Sequence, residues 1–257
     1  MTSLGRLADG AVDLFFPKRC GACGRAGQWL CEACAAALVP VPPSVCARCG
    51  APLERPRDDC RECRGRDLAF ASARAAYLYE GPARRLVTAC KFRSLRSLTA
   101  EMAGLSQAAF GQALAAGGAR VDLVTCVPVH RDRGLERGFD QAALLGRRLA
   151  AAAGLPFAPL LVRTRRGQRQ SGLAAAARAA NVHEAFRLDD RMVDKAGRVC
   201  TVLVVDDVYT TGETLHACSM VLRHAGCEPH AFTFARAARG FRSEDRCGSS
   251  VTKEPPS

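Results

Sequence analysis

The chain has 257 residues, enough for one α/β core plus a small module. Its composition is that of a globular protein apart from a formal net charge of +12 and 14 cysteines. No apolar run approaches the ~18 residues of a helical membrane span, so membrane insertion is not expected.

At the N-terminus Leu4, Leu7, Val12 and Phe15 have the spacing of a short amphipathic helix, and Asp9 and Asp13 interrupt the apolar stretch that a secretory signal needs. The chain is therefore expected in the cytoplasm, where thiols stay reduced. Eight cysteines follow in four C-x-x-C pairs: Cys20/Cys23, Cys31/Cys34, Cys46/Cys49 and Cys60/Cys63. In a reducing compartment that spacing points to metal thiolates before disulfides, with redox thiols as the competing reading. Cys20-Gly-Ala-Cys23-Gly24 recurs as Cys46-Ala-Arg-Cys49-Gly50, and the repeat favours two sequential four-cysteine zinc sites over an interleaved pairing. Glycine after the second cysteine of each copy supplies the positive φ of a tight knuckle. Large apolar residues are scarce here, so bound metal is expected to supply the folding free energy. Pro40-Val41-Pro42-Pro43 reads as a stiff spacer between the two halves.

The expected division is residues 1–66 for the helix and zinc module, 67–238 for a second domain and 239–257 for a disordered tail. Within the second domain Ala75 to Tyr79 reads as a strand, Gly81-Pro82 opens a helix through Lys91, and Leu98 to Leu114 forms another. Val121 to Val127 is the next strand, ended by Pro128. A basic, glycine-containing loop from His130 to Gln141 precedes a helical run to Ala153, and its arginine forks suit pyrophosphate oxygens. His130 reads there as a packing or hydrogen-bonding residue. Strands are expected at 160–162 and 185–188. Between them residues 163–178 hold five arginines and no acid, fitting a mobile lid over a charged ligand or a track for a nucleic-acid backbone. Cys90, Cys126, Cys200 and Cys218 read as small core residues.

The most informative stretch is Val202-Leu-Val-Val-Asp206-Asp207-Val-Tyr-Thr210-Thr211-Gly212-Glu-Thr214. Four apolar residues read as a strand buried on both faces of a parallel sheet, stopping on two carboxylates at its C-terminal end. Ligands sit at that end in open α/β sheets, and the threonine-rich loop before a helical pattern has the form of a phosphate cradle. The carboxylates suit a ribose diol or a Mg²⁺-bound water. No G-x-x-x-x-G-K-[ST] exists to support a nucleotide-triphosphatase reading. Basic groups are concentrated just upstream, with 14 against 7 acids in residues 128–200. That excess serves a polyanionic small molecule, nucleic acid, or a solvated arginine-rich surface.

The Asp-Asp-x-x-Thr-Thr-Gly-x-Thr segment resembles the phosphoribosyl-pyrophosphate (PRPP) motif of type I phosphoribosyltransferases. Together with Phe15-Phe16-Pro17, the zinc pairs, Tyr79-Glu-Gly-Pro82, Lys91-Phe-Arg93, Val127-Pro-Val-His130, Glu136-Arg-Gly-Phe139, Gln170, Leu173, Arg178, Asn181 and Ala185-Phe186, it resembles the ComF family of competence proteins over about residues 11–238. The resemblance implies an α/β fold: a mostly parallel, type I phosphoribosyltransferase-like sheet with flanking helices, preceded by a double zinc ribbon. It also implies PRPP with Mg²⁺ as ligand, two structural zinc ions, and partners in uptake of single-stranded DNA. The roles it implies are Asp206 and Asp207 for the ribose, and Thr210, Thr211, Gly212 and Thr214 for the 5′-phosphate. Arg131, Arg137 and Lys91 fall to the pyrophosphate side, and Arg163, Arg169, Gln170 and Arg178 to a mobile loop. Two departures stand out: Asp140 where the family commonly has Asn, and His183-Glu184 in place of a basic-Gly pair. Phosphoribosyl transfer and a non-catalytic, PRPP-sensing, nucleic-acid-binding role both fit the resemblance.

Overall fold

The computed structural model describes residues 18–54, 60–92, 96–116, 120–129, 139–164, 185–192 and 201–238. The expected N-terminal helix, the loop 130–138, the arginine stretch from 165 and the tail from 239 lie outside the described residues.

Four parallel strands form the central sheet, in the order β1 (Ala73–Leu78), β6 (Glu228–Arg236), β5 (Thr201–Tyr209) and β2 (Leu123–Cys126). Phe157 extends it beyond β2 through a parallel bridge to Val124. Two helices, α2 (Gly81–Phe92) and α3 (Arg96–Ala116), connect β1 to β2, and α4 (Gln141–Ala152) follows β2. A short antiparallel pair, β3 (Leu161–Arg163) and β4 (Phe186–Leu188), stands apart, and α5 (Glu213–His224) links β5 to β6. Two of these strands depart from expectation. The β5 strand does not stop at the carboxylates but pairs with β6 as far as Tyr209, and Glu228–Arg236, where no strand is expected from the sequence, is the sheet's second long strand.

The two-residue alternation of β5 explains the layering. Leu203 and Val205 face a cluster built from α2, α3 and α4, whereas Val202 and Val204 face one with Leu215, Cys218 and Leu222 of α5. All four are at most 1 % exposed, as a strand covered on both faces requires.

The zinc module shares this core. Its first half, with a short helix α1 (Glu32–Ala36), contributes Cys20, Cys31, Cys34 and Leu38 to the cluster containing Leu86 and Leu98. The second half contributes Cys46, Cys49, Ala51 and Cys60 to the opposite cluster, beside Phe70 and Tyr209. The proline segment between them is not a free spacer. Leu78 N–H donates to the Val39 carbonyl at 2.8 Å and Val41 N–H to Ala76 at 3.0 Å, so residues 39–41 run antiparallel along the open edge of β1. Proline, lacking a donor, suits such an edge. The two halves thus straddle the sheet, and the expectation that metal alone stabilises the module gives way to metal plus shared apolar burial.

Gly24 and Gly50, at equivalent knuckle positions, have φ of +79° and +72°. A Cβ at Gly24 would meet open space, but one at Gly50 would overlap the Ala73 carbonyl oxygen at the start of β1. Gly24→Ala should therefore lower the unfolding free energy by about 1 kcal/mol, the cost of a left-handed residue with a side chain. Gly50→Ala should lower it by about 3 kcal/mol, because backbone must also move. Urea titration of the zinc-loaded variants measures both, and equal losses would contradict the close seating of the second knuckle on β1.

Candidate functional site: paired four-cysteine clusters beside an acidic cleft

The eight paired cysteines form two clusters, Cys20/Cys23/Cys31/Cys34 and Cys46/Cys49/Cys60/Cys63, each with its sulfurs within 4.8 Å of one another. The sequential pairing holds. A tetrahedron of thiolates at a Zn–S bond of ~2.3 Å has edges of about 3.8 Å. The Sγ–Sγ distances Cys23–Cys31, Cys46–Cys63 and Cys49–Cys60 are 3.7, 3.7 and 3.6 Å. The knuckle backbone closes around the thiolates, with Gly24 N–H donating to the Cys20 carbonyl at 2.8 Å and Gly50 N–H to Cys46 at 2.9 Å. Both sites fit structural zinc, closed by four protein ligands.

At the C-terminal end of β5 a cleft of about 380 Å³ is lined by Asp206, Asp207, Thr210, Thr214, Lys91, Asp140 and Arg163, with Tyr79, Gln141 and the backbone of Val127–Val129. Asp207 is buried and receives both its ion-pair contacts from Lys91 Nζ, at 2.9 and 2.8 Å. Asp206 Oδ1 accepts the Asp207 N–H at 2.8 Å. Asp140 caps α4, its Oδ1 accepting from Ala143 N–H at 3.0 Å and its Oδ2 from Val129 N–H at 3.2 Å. Burial, and then the charge of Asp207, push the Asp206 carboxyl up to about 8. Burial raises Asp140 as well. Three carboxyl groups converge with Lys91 and Arg163, and the raised carboxyls of Asp206 and Asp140 mark a place where a further cation is favoured alongside any anionic ligand.

The loop after β5 turns at Gly212, whose φ is +80°, and α5 begins at Glu213 with His216 N–H donating to the Gly212 carbonyl at 2.8 Å. Thr211 Oγ1 accepts from Glu213 N–H at 3.5 Å. The first amides of α5 thus adjoin Thr210 and Thr214 at the cleft, where a helix N-terminus favours an anion.

Of the residues singled out in the sequence, Asp206, Asp207, Thr210, Thr214, Lys91 and Arg163 line one cleft, and Thr211 and Gly212 shape its loop. Lys91, expected on the pyrophosphate side, forms an ion pair with Asp207. Arg163, expected in a mobile loop, is instead the last residue of β3, with its guanidinium 5.2 Å from the Phe186 ring centre. Arg131, Arg137, Arg169, Gln170 and Arg178 lie outside the described residues. Sequence reasoning missed Tyr79 and Gln141 as lining residues. It also missed the support behind the loop: Tyr209, Arg236 and Glu62. An arginine closing the apolar run of β6 was the available signal for one of them.

The fold and the site define a parallel α/β domain with an acidic, threonine-rimmed cleft at the end of its central strand, carrying two thiolate zinc sites. Residues 11–64 match the double zinc ribbon domain. The chain is 29 % identical over 220 residues to competence protein F of Haemophilus influenzae, covering 83 % of this chain and 94 % of that protein. The ribbon match and this similarity over most of the chain both support the resemblance to the ComF family. Among solved structures it resembles an adenine phosphoribosyltransferase, at 17 % identity and a TM-score of 0.33 over 57 % of this chain and 76 % of that one. It also resembles glutamine PRPP amidotransferase from B. subtilis, at 24 % identity and a TM-score of 0.31 over 49 % of this chain; the match spans about a quarter (25 %) of that enzyme's length. No helix of the described residues is long and apolar enough to cross a membrane.

Metal analysis of protein purified without chelator should give two zinc ions per chain. A value below one would contradict the thiolate geometry, and a value of one would mean that only one cluster closes.

Proposed function

We propose that the cleft binds PRPP together with Mg²⁺, and that the protein acts in the cytoplasm as a PRPP-dependent member of the DNA-uptake apparatus. The observation that carries this reading is the convergence of Asp206, Asp207, Thr210 and Thr214 on one cleft at a strand end and helix N-terminus. In this reading Asp206 and Asp207 accept hydrogen bonds from the two ribose hydroxyls. The threonine hydroxyls and the first amides of α5 donate to the 5′-phosphate. The carboxylates, with Asp140 nearby, would hold Mg²⁺, whose contribution is to neutralise charge on the pyrophosphate. Phosphoribosyl transfer would break the bond between C1 and the pyrophosphate oxygen as an acceptor bonds to C1. The positive charge developing on the sugar ring would be stabilised by the adjacent carboxylates. In this reading the ion pair with Lys91, at 2.8 Å, would fix the Asp207 carboxylate for that role.

The raised carboxyl of Asp206 gives this reading a proton signature. A carboxyl held protonated up to about pH 8 must lose its proton to accept ribose hydroxyls or a cation. Calorimetry at pH 7 in buffers of different ionisation enthalpy should detect net proton release on binding of PRPP with Mg²⁺, and affinity should rise with pH toward 8. Replacing both acids, Asp206→Ala with Asp207→Ala, should weaken binding at least about tenfold, because each lost bond to a charged group contributes about 1.5–3 kcal/mol. Unchanged affinity in that double variant would refute the assignment.

A groove on the zinc module favours single-stranded nucleic acid as a second ligand. It has a volume of about 660 Å³, lies between the first knuckle (Gly21, Ala22, Cys23, Gly24) and α2, and presents Arg84, Arg85 and Thr88, all exposed. Two adjacent exposed arginines on a groove wall suit contacts to a phosphate backbone without base readout. Fluorescence anisotropy with a labelled single strand should show affinity falling with salt, each phosphate contact adding about 0.7 to the log–log slope. Arg84→Ser with Arg85→Ser should flatten that slope, and an unchanged slope would remove the groove from the interface.

A further inference from the structure

Arg236, the last residue of β6, is 1 % exposed and is the most deeply buried charged side chain among the described residues. A guanidinium out of water needs partners for its charge. Those partners come from two distant places. It donates to the backbone carbonyl of Cys49 and, at 2.8 Å, to Glu62 Oε2; Cys49 is a ligand of the second zinc site, and Glu62 lies between the ligands Cys60 and Cys63. Its flat face covers the Tyr209 ring, with 4.6 Å between the guanidinium carbon and the ring centre. Tyr209 ends β5, is 3 % exposed, and meets Phe70 edge-on at 6.3 Å.

The same ring forms the floor of the threonine-rich loop. A Cβ at Gly212 would lie 2.5 Å from Tyr209 Oη, so the turn is seated directly on the phenol. Two further tethers run in parallel. Arg66 donates to Glu213, the first residue of α5, and Ala69 N–H donates to His216 Nδ1 at 3.0 Å. Contacts from residues 49–69 thus reach the turn and first helical residues through Arg236, Tyr209, Arg66 and Ala69. The first half of the module packs on a different part of the molecule, with Gly21 against Leu86 and Leu98.

A loop that binds a phosphate through amides and hydroxyls has to hold them within about 0.5 Å of their working positions. We infer that the second four-cysteine site does this for the threonine-rich loop, with Arg236 and Tyr209 as positioning residues. Affinity for a sugar 5′-phosphate then depends on the metal-held shape of that half of the ribbon. The inference rests on the reading that the cleft binds a phosphorylated ribose.

The test uses the full chain with its zinc content measured, titrated calorimetrically with ribose 5-phosphate and, separately, with Mg²⁺-pyrophosphate. Arg236→Lys keeps the charge but loses the planar fork and the cover over Tyr209. Arg66→Gln removes a partly exposed tether and does not threaten the core. Both variants should retain two zinc ions and bind Mg²⁺-pyrophosphate within about twofold of wild type. Both should bind ribose 5-phosphate about tenfold more weakly, as expected for one misplaced bond to a charged group. Hydrogen exchange at residues 209–214 should quicken in the same variants. Unchanged ribose 5-phosphate affinity in variants that keep both zincs would overturn the inference, and so would an equal loss of both ligands, the mark of general destabilisation. If Arg236→Lys does not fold, Arg66→Gln decides alone. A wild-type protein that binds neither ligand would refute the assignment of the cleft, and the inference with it. A wild type that binds both with indifferent variants would refute the inference only.

Discussion

A strand buried on both faces cannot stand without cover on each, and β5 is such a strand. Val202, Leu203, Val204 and Val205 are all at most 1 % exposed, flanked by β6 and β2 and covered by helices on either side. The cysteine-rich module belongs to that cover, since its two halves enter opposite core clusters while residues 39–41 close the outer edge of β1. Metal sites and sheet are therefore one folding problem. Four thiolates around an ion order a chain segment too poor in apolar residues to order itself, and the ordered segment then buries apolar surface of the sheet.

The same strand delivers two carboxylates to the rim of a dry interior. That placement has an electrostatic cost, visible in the raised carboxyl of Asp206, and Lys91 offsets part of it at Asp207. A cleft with this balance is poised for a ligand that brings its own cation, and the helix N-terminus at Gly212 supplies the complementary place for an anion. Asp140 adds a third carboxyl to the lining. In this chain its hydrogen bonds cap α4 and tie Val129 to the helix. Its side chain thus has a structural task alongside any effect on the ligand.

Much of the site was legible because it is local in the chain. The cysteine repeat gave the zinc ligands and favoured their sequential pairing, since a C-x-x-C knuckle brings two thiolates together through its own backbone; the interleaved alternative was excluded only by the two clusters of the folded chain. The run from Val202 to Thr214 likewise announced a buried strand, an acidic turn and a helix start within 13 consecutive residues. The misjudged places were those where a neighbour overrides local character. Pro40 to Pro43 has the composition of a spacer, yet its first residues complete a sheet because β1 offers an edge there. Asp206 to Tyr209 look like a turn, yet β6 lies alongside and holds them in the strand.

The sequence by itself determined the metal ligands, the main helices and strands other than β6, and the chemistry of the loop after β5, all set by spacing, hydrophobic period and side-chain type over short distances. Only the tertiary structure decided that Lys91 meets Asp207 and that both halves of the ribbon share the core of the sheet. It also decided that Arg236 reaches Cys49, 187 residues away in the chain, and lies over Tyr209. Such contacts carry no local signature. A buried charge takes whichever partners the packed fold brings within reach, and that choice is made by burial of the whole core.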